Sequence, residues 1–170
     1  MLKTKIAVFV SGGGTNFEAL INAQENGKIP HGEIVLMVSS SKTAYALKRA
    51  ENHGIKSVVC SKKELGSQEK FEEEILKNLE ENDIQLIVLA GFMSILSKEF
   101  TKKYENRIIN IHPSLIPSFC GEGFYGLHVH EAALKKGVKV TGATVHIVNE
   151  IPDGGPIIMQ RAVYIEENDT

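Results

Sequence analysis

The chain has 170 residues, 42% of them hydrophobic and 24% charged, a balance that excludes a wholly disordered polypeptide. Nineteen basic against 21 acidic residues leave a net charge of −2, which argues against a nucleic-acid-binding protein, whose domain is usually clearly basic. Two cysteines, Cys60 and Cys120, cannot make a disulfide framework and fit a reducing, cytoplasmic setting, although one bridge stays open. No run approaches the ~18 apolar residues of a membrane span. Residues 6–10 are too short for a signal-peptide core of ~7–15 residues. A single domain over 1–170 is expected, since domains usually run ~100–200 residues.

Short β-branched runs at 6–10, 34–38, 57–60, 86–90 and 107–111 read as strands, most of them continuously apolar as in sheets covered on both faces. Helical patterns lie between them at about 16–26, 43–53, 67–82 and 97–104. The third is the clearest: Phe71, Ile75 and Leu79 share one face, with Glu72, Glu73 and Lys77 on the other. This alternation predicts βαβ units and an α/β fold with a mostly parallel twisted sheet, helices on both faces. The rhythm changes after 111. A loop over about 112–127 holds Pro113, Pro117, Gly121, Gly123 and Gly126, and loops of that length are usually functional. A short helix at about 129–136 and two strands, 138–148 and 156–165, follow.

Three groups of residues carry chemistry. Ser11-Gly12-Gly13-Gly14-Thr15-Asn16 separates the first strand from the first helix, where glycines and helix N–H groups can receive an anion. The dinucleotide pattern is met only in part, because Phe17 stands at the third glycine and no acid ends the second strand. One small phosphate is the better ligand; a tight turn without a ligand is the plain alternative. At the fifth strand, Asn110 and His112 project to one side while Ile109 and Ile111 project to the other, and Pro113 ends the ladder. An amide beside an imidazole can stabilise an oxyanion and move a proton, against the alternative of a purely structural pair. Thr144 and His146 repeat the spacing in a later strand, followed by Asp153-Gly154-Gly155-Pro156. A carboxylate near His112 would orient the ring and favour its charged form, although Asp also serves as a plain turn residue.

The third group is the segment 89–96. Gly91 allows close approach there, and Phe92, Met93, Ile95 and Leu96 offer an apolar surface for a flat aromatic ligand, or simply core packing. His128 and His130 would supply two metal ligands from an extended segment, but no zinc-type spacing accompanies them, so no metal is expected. Cys120 is a weak candidate nucleophile, with no basic group beside it in sequence.

Taken in order, S-G-G-G-T-N, L-A-G-F-M-S-I-L, N-I-H-P-S-L-I-P, G-L-H-V-H, T-V-H and D-G-G-P-I-I resemble the phosphoribosylglycinamide formyltransferases, folate-dependent members of the formyltransferase superfamily. The likeness runs from about 5 to 165. It implies a Rossmann-like formyltransferase fold and transfer of the formyl group of 10-formyltetrahydrofolate, a co-substrate, to the amine of phosphoribosylglycinamide in purine synthesis. It implies catalytic roles for Asn110, His112 and Asp153, supported by Thr144 and His146. Gly14, Thr15, Asn16 and Phe17 match the substrate-phosphate segment. Gln68, Met93, Ser94, Ile95, Leu96, Asn110, Asn149, Glu150, Ile151, Pro152 and Asp153 match folate-binding positions. Small-molecule partners, no metal, no nucleic acid, no membrane, a cytoplasmic setting and a monomer or weak homodimer follow as expectations. Folate hydrolysis and a non-catalytic phosphate-binding module are the alternatives. Ser94 departs from a frequent arginine, the 118–125 loop is longer than in some relatives, and the family's C-terminal helix is absent from the expected domain.

Overall fold

The computed structural model describes residues 2–170. The chain forms two compact units, the first ending at Phe100 and the second comprising Thr101–Thr170.

The first unit begins with β1 (Thr4–Val10), α1 (Thr15–Glu25), β2 (Gly32–Ser39), α2 (Ala46–Asn52) and β3 (Lys56–Val59). It continues through α3 (Lys62–Leu65), α4 (Gln68–Glu81) and β4 (Leu86–Leu89). The strand order is β3-β2-β1-β4, and every pairing is parallel, as the strand–helix alternation predicts. The last five residues of β1 are buried, so both faces of this strand are covered. Ile6, Val8 and Val10 pack with Phe17 and Ile21 of α1 and with Ala46 and Ala50 of α2. On the alternate positions, Phe9 meets Phe92 edge-on, centroids 5.2 Å apart, and Phe92 stacks on Phe71 of α4 at 6.5 Å. Each fully buried large side chain of this kind contributes about 1.5–3 kcal/mol. Ser67 starts α4 by accepting the Lys70 N–H at 3.2 Å, a cap worth about 1 kcal/mol.

Two elements differ from the sequence reading. The helix expected from 43 begins at Ala46, because the Ser41 hydroxyl accepts the Thr43 N–H at 3.3 Å and holds 41–44 in a turn. The four residues of α3 are too few to show a helical period. The short helix α5 (Lys98–Lys103) follows the segment after β4.

In the second unit, β5 (Ile108–His112), α6 (Leu127–Lys136), β6 (Val140–Ile147) and β7 (Ile157–Tyr164) follow the expected order. Here β5-β6-β7 pair antiparallel. The register opposes Asn110 to His146 and His112 to Thr144. Opposed residues of an antiparallel pair share a face, so these four polar side chains lie together. Gly142 in β6 is required by close approach: a Cβ there would lie 2.1 Å from the Arg161 carbonyl oxygen.

Candidate active site

Asn110, His112, His146 and Asp153 meet in the second unit. His112 ends β5 and is buried at 4% exposure. Its Nδ1 lies 3.4 Å from Asp153 Oδ2, and its Nε2 donates to the Phe119 carbonyl at 2.8 Å. Both ring nitrogens therefore face oxygen acceptors. Asp153 is further held by the Gly121 N–H, which donates to Oδ2 at 2.9 Å, and its Oδ1 lies 3.5 Å from His146 Nε2. The turn that carries it depends on two backbone features. Asp153 itself has a positive φ of 54°, a conformation Asp tolerates better than most residues. A Cβ on Gly155 would sit 1.8 Å from the Ile147 carbonyl oxygen, so only glycine lets the chain pass beneath β6.

His146, expected in a supporting role, lies beside both Asn110 and Asp153. Its Nδ1 donates to the Ile147 carbonyl at 2.9 Å, which leaves Nε2 of the neutral ring as acceptor for the Asn110 amide at 3.2 Å. When the ring is charged, Nε2–H turns to Asp153 instead. Burial lowers the His146 pKa, but the hydrogen bonds to Asp153 and to the Ile147 carbonyl, with the Asp153 charge, outweigh it and raise it overall. Burial likewise pushes the Asp153 pKa up. The His146 and Gly121 hydrogen bonds, with the charges of His112 and His146, overcome this and hold the carboxyl below its usual range. Thr144 is a framing residue. Its hydroxyl donates to the Ser114 carbonyl at 2.7 Å and accepts from Ile116 N–H at 3.1 Å and Gln160 Nε2 at 2.9 Å. The 149–153 segment opens with an Asx turn, Asn149 Oδ1 accepting the Ile151 N–H at 2.9 Å. Glu150, Ile151 and Pro152 are exposed beside it.

In the first unit, a cavity of about 280 Å³ is lined by Ser11, Gly12, Gly13, Gly14, Thr15, Asn16, Ala90, Gly91 and Met93. It lies at the N-terminus of α1, where no side chain caps the helix, leaving its N–H groups and partial positive charge for an anion. Gly14 has φ 72°, and a Cβ there would meet Ala46 Cβ at 2.7 Å. Arg49 supports the loop from α2, its Nε donating to the Gly13 carbonyl at 2.9 Å. The Phe17 side chain is fully buried in the core, so of the expected phosphate-binding residues it has only its backbone to offer.

The segment after β4 divides in two. Phe92 belongs to the aromatic core, whereas Met93 and Ile95 are 55% and 77% exposed, with Ser94 and Leu96 half-buried. Gln68 turns inward, its Nε2 donating to Glu72 Oε1 at 2.5 Å and to the Ile95 carbonyl at 3.1 Å.

His128 and His130 are exposed on α6, not on an extended segment. Two residues apart on a helix, they do not share a face. Among the described residues no group of three His, Cys, Asp or Glu could hold a metal ion, and no helix is long and apolar enough to cross a membrane. Cys60 and Cys120 are free. Burial and the Asp153 charge push the Cys120 thiol up, away from a nucleophilic thiolate. Sequence reasoning missed Phe119 and Gly121, which bond His112 and Asp153 through their backbones and so left no side-chain signal.

The formyl transferase family model matches residues 4–170. This chain belongs to the formyl transferase family. It is 47% identical over 168 residues to the trifunctional purine biosynthetic protein adenosine-3 of Gallus gallus, covering 99% of this chain and 16% of that protein. A crystal structure of phosphoribosylglycinamide formyltransferase from Bacillus halodurans matches with TM-score 0.90 and 42% identity, covering 98% of this chain and 83% of that one. A formyltetrahydrofolate deformylase structure from Pseudomonas syringae is more distant within the wider fold, with TM-score 0.86 and 26% identity, covering 99% of this chain and 53% of that one. The formyl transferase chain thus spans about a sixth of the Gallus gallus protein's length and most of the Bacillus halodurans enzyme's.

Proposed function

We propose that this chain is a phosphoribosylglycinamide formyltransferase, a cytoplasmic enzyme of purine synthesis that moves the formyl group of 10-formyltetrahydrofolate to the amine of phosphoribosylglycinamide. The observation that carries the reading is the cluster of Asn110, His112, His146 and Asp153, in which the β5–β6 register brings Asn110 beside the two buried imidazoles and a turn adds Asp153. The relatives' names support the substrates.

The substrate phosphate is assigned to the loop of Gly14, Thr15 and Asn16, with the backbone of Phe17, and the folate ring to the segment of Met93, Ser94, Ile95 and Leu96. The glycinamide amine attacks the formyl carbon and forms a C–N bond. The carbonyl electrons move onto oxygen, and Asn110 and the His112 cation donate to that oxyanion. For His112 to donate to the oxyanion, its Nε2 must release the Phe119 carbonyl that it holds at 2.8 Å, since Nδ1 faces Asp153. Collapse restores the carbonyl and breaks the bond between the formyl carbon and the folate nitrogen. The proton lost by the amine goes to that nitrogen, with Asp153 holding the imidazolium and assisting the transfer. Removing one oxyanion donor of this kind costs on the order of 100–1000-fold in turnover.

The test is an assay of the purified chain with both substrates. Formylated ribonucleotide supports the reading, release of formate alone makes the chain a hydrolase, and neither product overturns it as an enzyme of this folate.

A further inference from the structure

Glu72 is a buried carboxylate that the proposed mechanism does not use. It lies on α4 at 8% exposure. Its Oε1 accepts the Ser97 N–H at 2.6 Å and the Gln68 amide at 2.5 Å, and its Oε2 accepts the Ser97 hydroxyl at 2.6 Å. Ser97 in turn accepts the Phe100 N–H at 3.1 Å and so starts α5. The second hydrogen of the Gln68 amide goes to the Ile95 carbonyl. One carboxylate thus anchors the end of the segment after β4, directly through Ser97 and indirectly through Gln68. The start is anchored separately: Met93 N–H donates to Ser11 Oγ at 2.8 Å, and Ser11 N–H donates to the Gly91 carbonyl at 3.1 Å. Between these anchors, 94–96 form neither helix nor strand. Met93 and Ile95 lie largely exposed between the two anchors.

A buried carboxylate is costly unless hydrogen bonds satisfy it, and here each oxygen has a short partner. We propose that Glu72 is a positioning residue for folate binding: it holds the 93–97 segment in its ring-receiving shape and commits Gln68 as a strut of that segment rather than as a ligand group. This deepens the proposed function and rests on it for the identity of the ligand. Physically, a segment released from its anchor populates the binding shape only part of the time, and apparent affinity falls by that fraction.

The experiment compares Glu72→Leu, Glu72→Gln and Ser97→Ala by steady-state kinetics and by amide exchange of the 93–97 segment. Glu72→Leu removes all three acceptor contacts. It should raise KM for 10-formyltetrahydrofolate about tenfold, a typical effect of losing a buried charged partner. kcat and the KM for the ribonucleotide should stay within about twofold, and Ser97 amide exchange should accelerate about tenfold. Glu72→Gln keeps an acceptor for the Ser97 N–H and should restore most of both. Ser97→Ala deletes the hydroxyl bond to Glu72 and the cap on the Phe100 N–H but keeps the Ser97 N–H bond; it should move the folate KM in the same direction by about threefold, and decides the matter if Glu72→Leu does not fold. Unchanged folate KM and exchange, or equal losses of kcat and both KM values that Glu72→Gln does not rescue, would overturn the proposal. If the wild-type chain transfers no formyl group, the function reading fails, while the exchange rates still report whether Glu72 holds the segment.

Discussion

Under the proposed function, the two units would serve their ligands in opposite ways. The first presents backbone: a loop of three glycines and an uncapped helix start after β1, whose last five residues are buried. The second presents side chains: Asn110, His112, Thr144 and His146 on one face of an antiparallel sheet, with Asp153 brought in on a turn. Backbone N–H groups suit a phosphate, whose charge is spread over several oxygens and needs no proton transfer. Side chains are needed where a proton must move. The difference teaches where each unit is vulnerable. The first fails when a Cβ fills space reserved for backbone, and the second fails when one functional group is lost.

The most severe test of the contrast is Gly155→Ala in the second unit, since its Cβ would lie 1.8 Å from the Ile147 carbonyl oxygen. Displacement of the turn should remove Asp153, abolish measurable formyl transfer and destabilise by more than about 4 kcal/mol, read by thermal unfolding beside the assay. His112→Ala should lower kcat on the order of 100–1000-fold and, because it removes a buried ring bonded to Phe119 and facing Asp153, destabilise by about 1–3 kcal/mol; full turnover would remove His112 from the chemistry. Gly14→Ala combines a φ of 72° with a Cβ 2.7 Å from Ala46. It should cost about 1–3 kcal/mol and raise KM for the phosphorylated substrate while leaving the folate KM near normal.

A smaller effect concerns pH. Asp153 is held below its ordinary pKa of 3.8, so its contribution is present above that value and lost as pH falls through the lowered one. His146 is held above its ordinary 6.5, so its contribution is present below 6.5 and lost as pH rises through the raised value. The Tm advantage of wild type over Asp153→Asn should therefore be greatest between about pH 4 and 6.5 and shrink by about pH 8; a constant difference would uncouple the pair. The mildest change is Gly13→Ala. Nothing lies within 4 Å of a Cβ there, so stability should move by no more than about 0.5 kcal/mol. A rise in KM for the phosphorylated substrate equal to that of Gly14→Ala, with stability unchanged, would mean that the loop excludes side chains there for the ligand's sake.

Some of this was legible in the residues and some was not, for reasons that can be located. The period of α4 announced Phe71, Ile75 and Leu79 as its buried face. The same run showed Glu72 only as a member of the polar face, because a helical period says nothing of the Ser97 backbone that gathers against it. Phe92 and Met93 are adjacent and equally apolar, yet one fills the core and the other lies at the cavity, a choice made by the packing of Phe9 and Phe71. Phe17 falls within the phosphate motif by spacing, but the inward face of α1 buries its ring.

By itself the sequence determined the order and type of nearly every element, the glycine loop, and the shared face of Asn110 and His112, since these follow from local periodicity and from backbone conformations that few residues tolerate. The tertiary structure alone decided which groups bond across distance: the β5–β6 register that opposes Asn110 to His146, the turn that sets Asp153 against two imidazoles, and the Glu72 anchor. Such pairings depend on the register and packing of segments far apart in the chain, which no local pattern encodes.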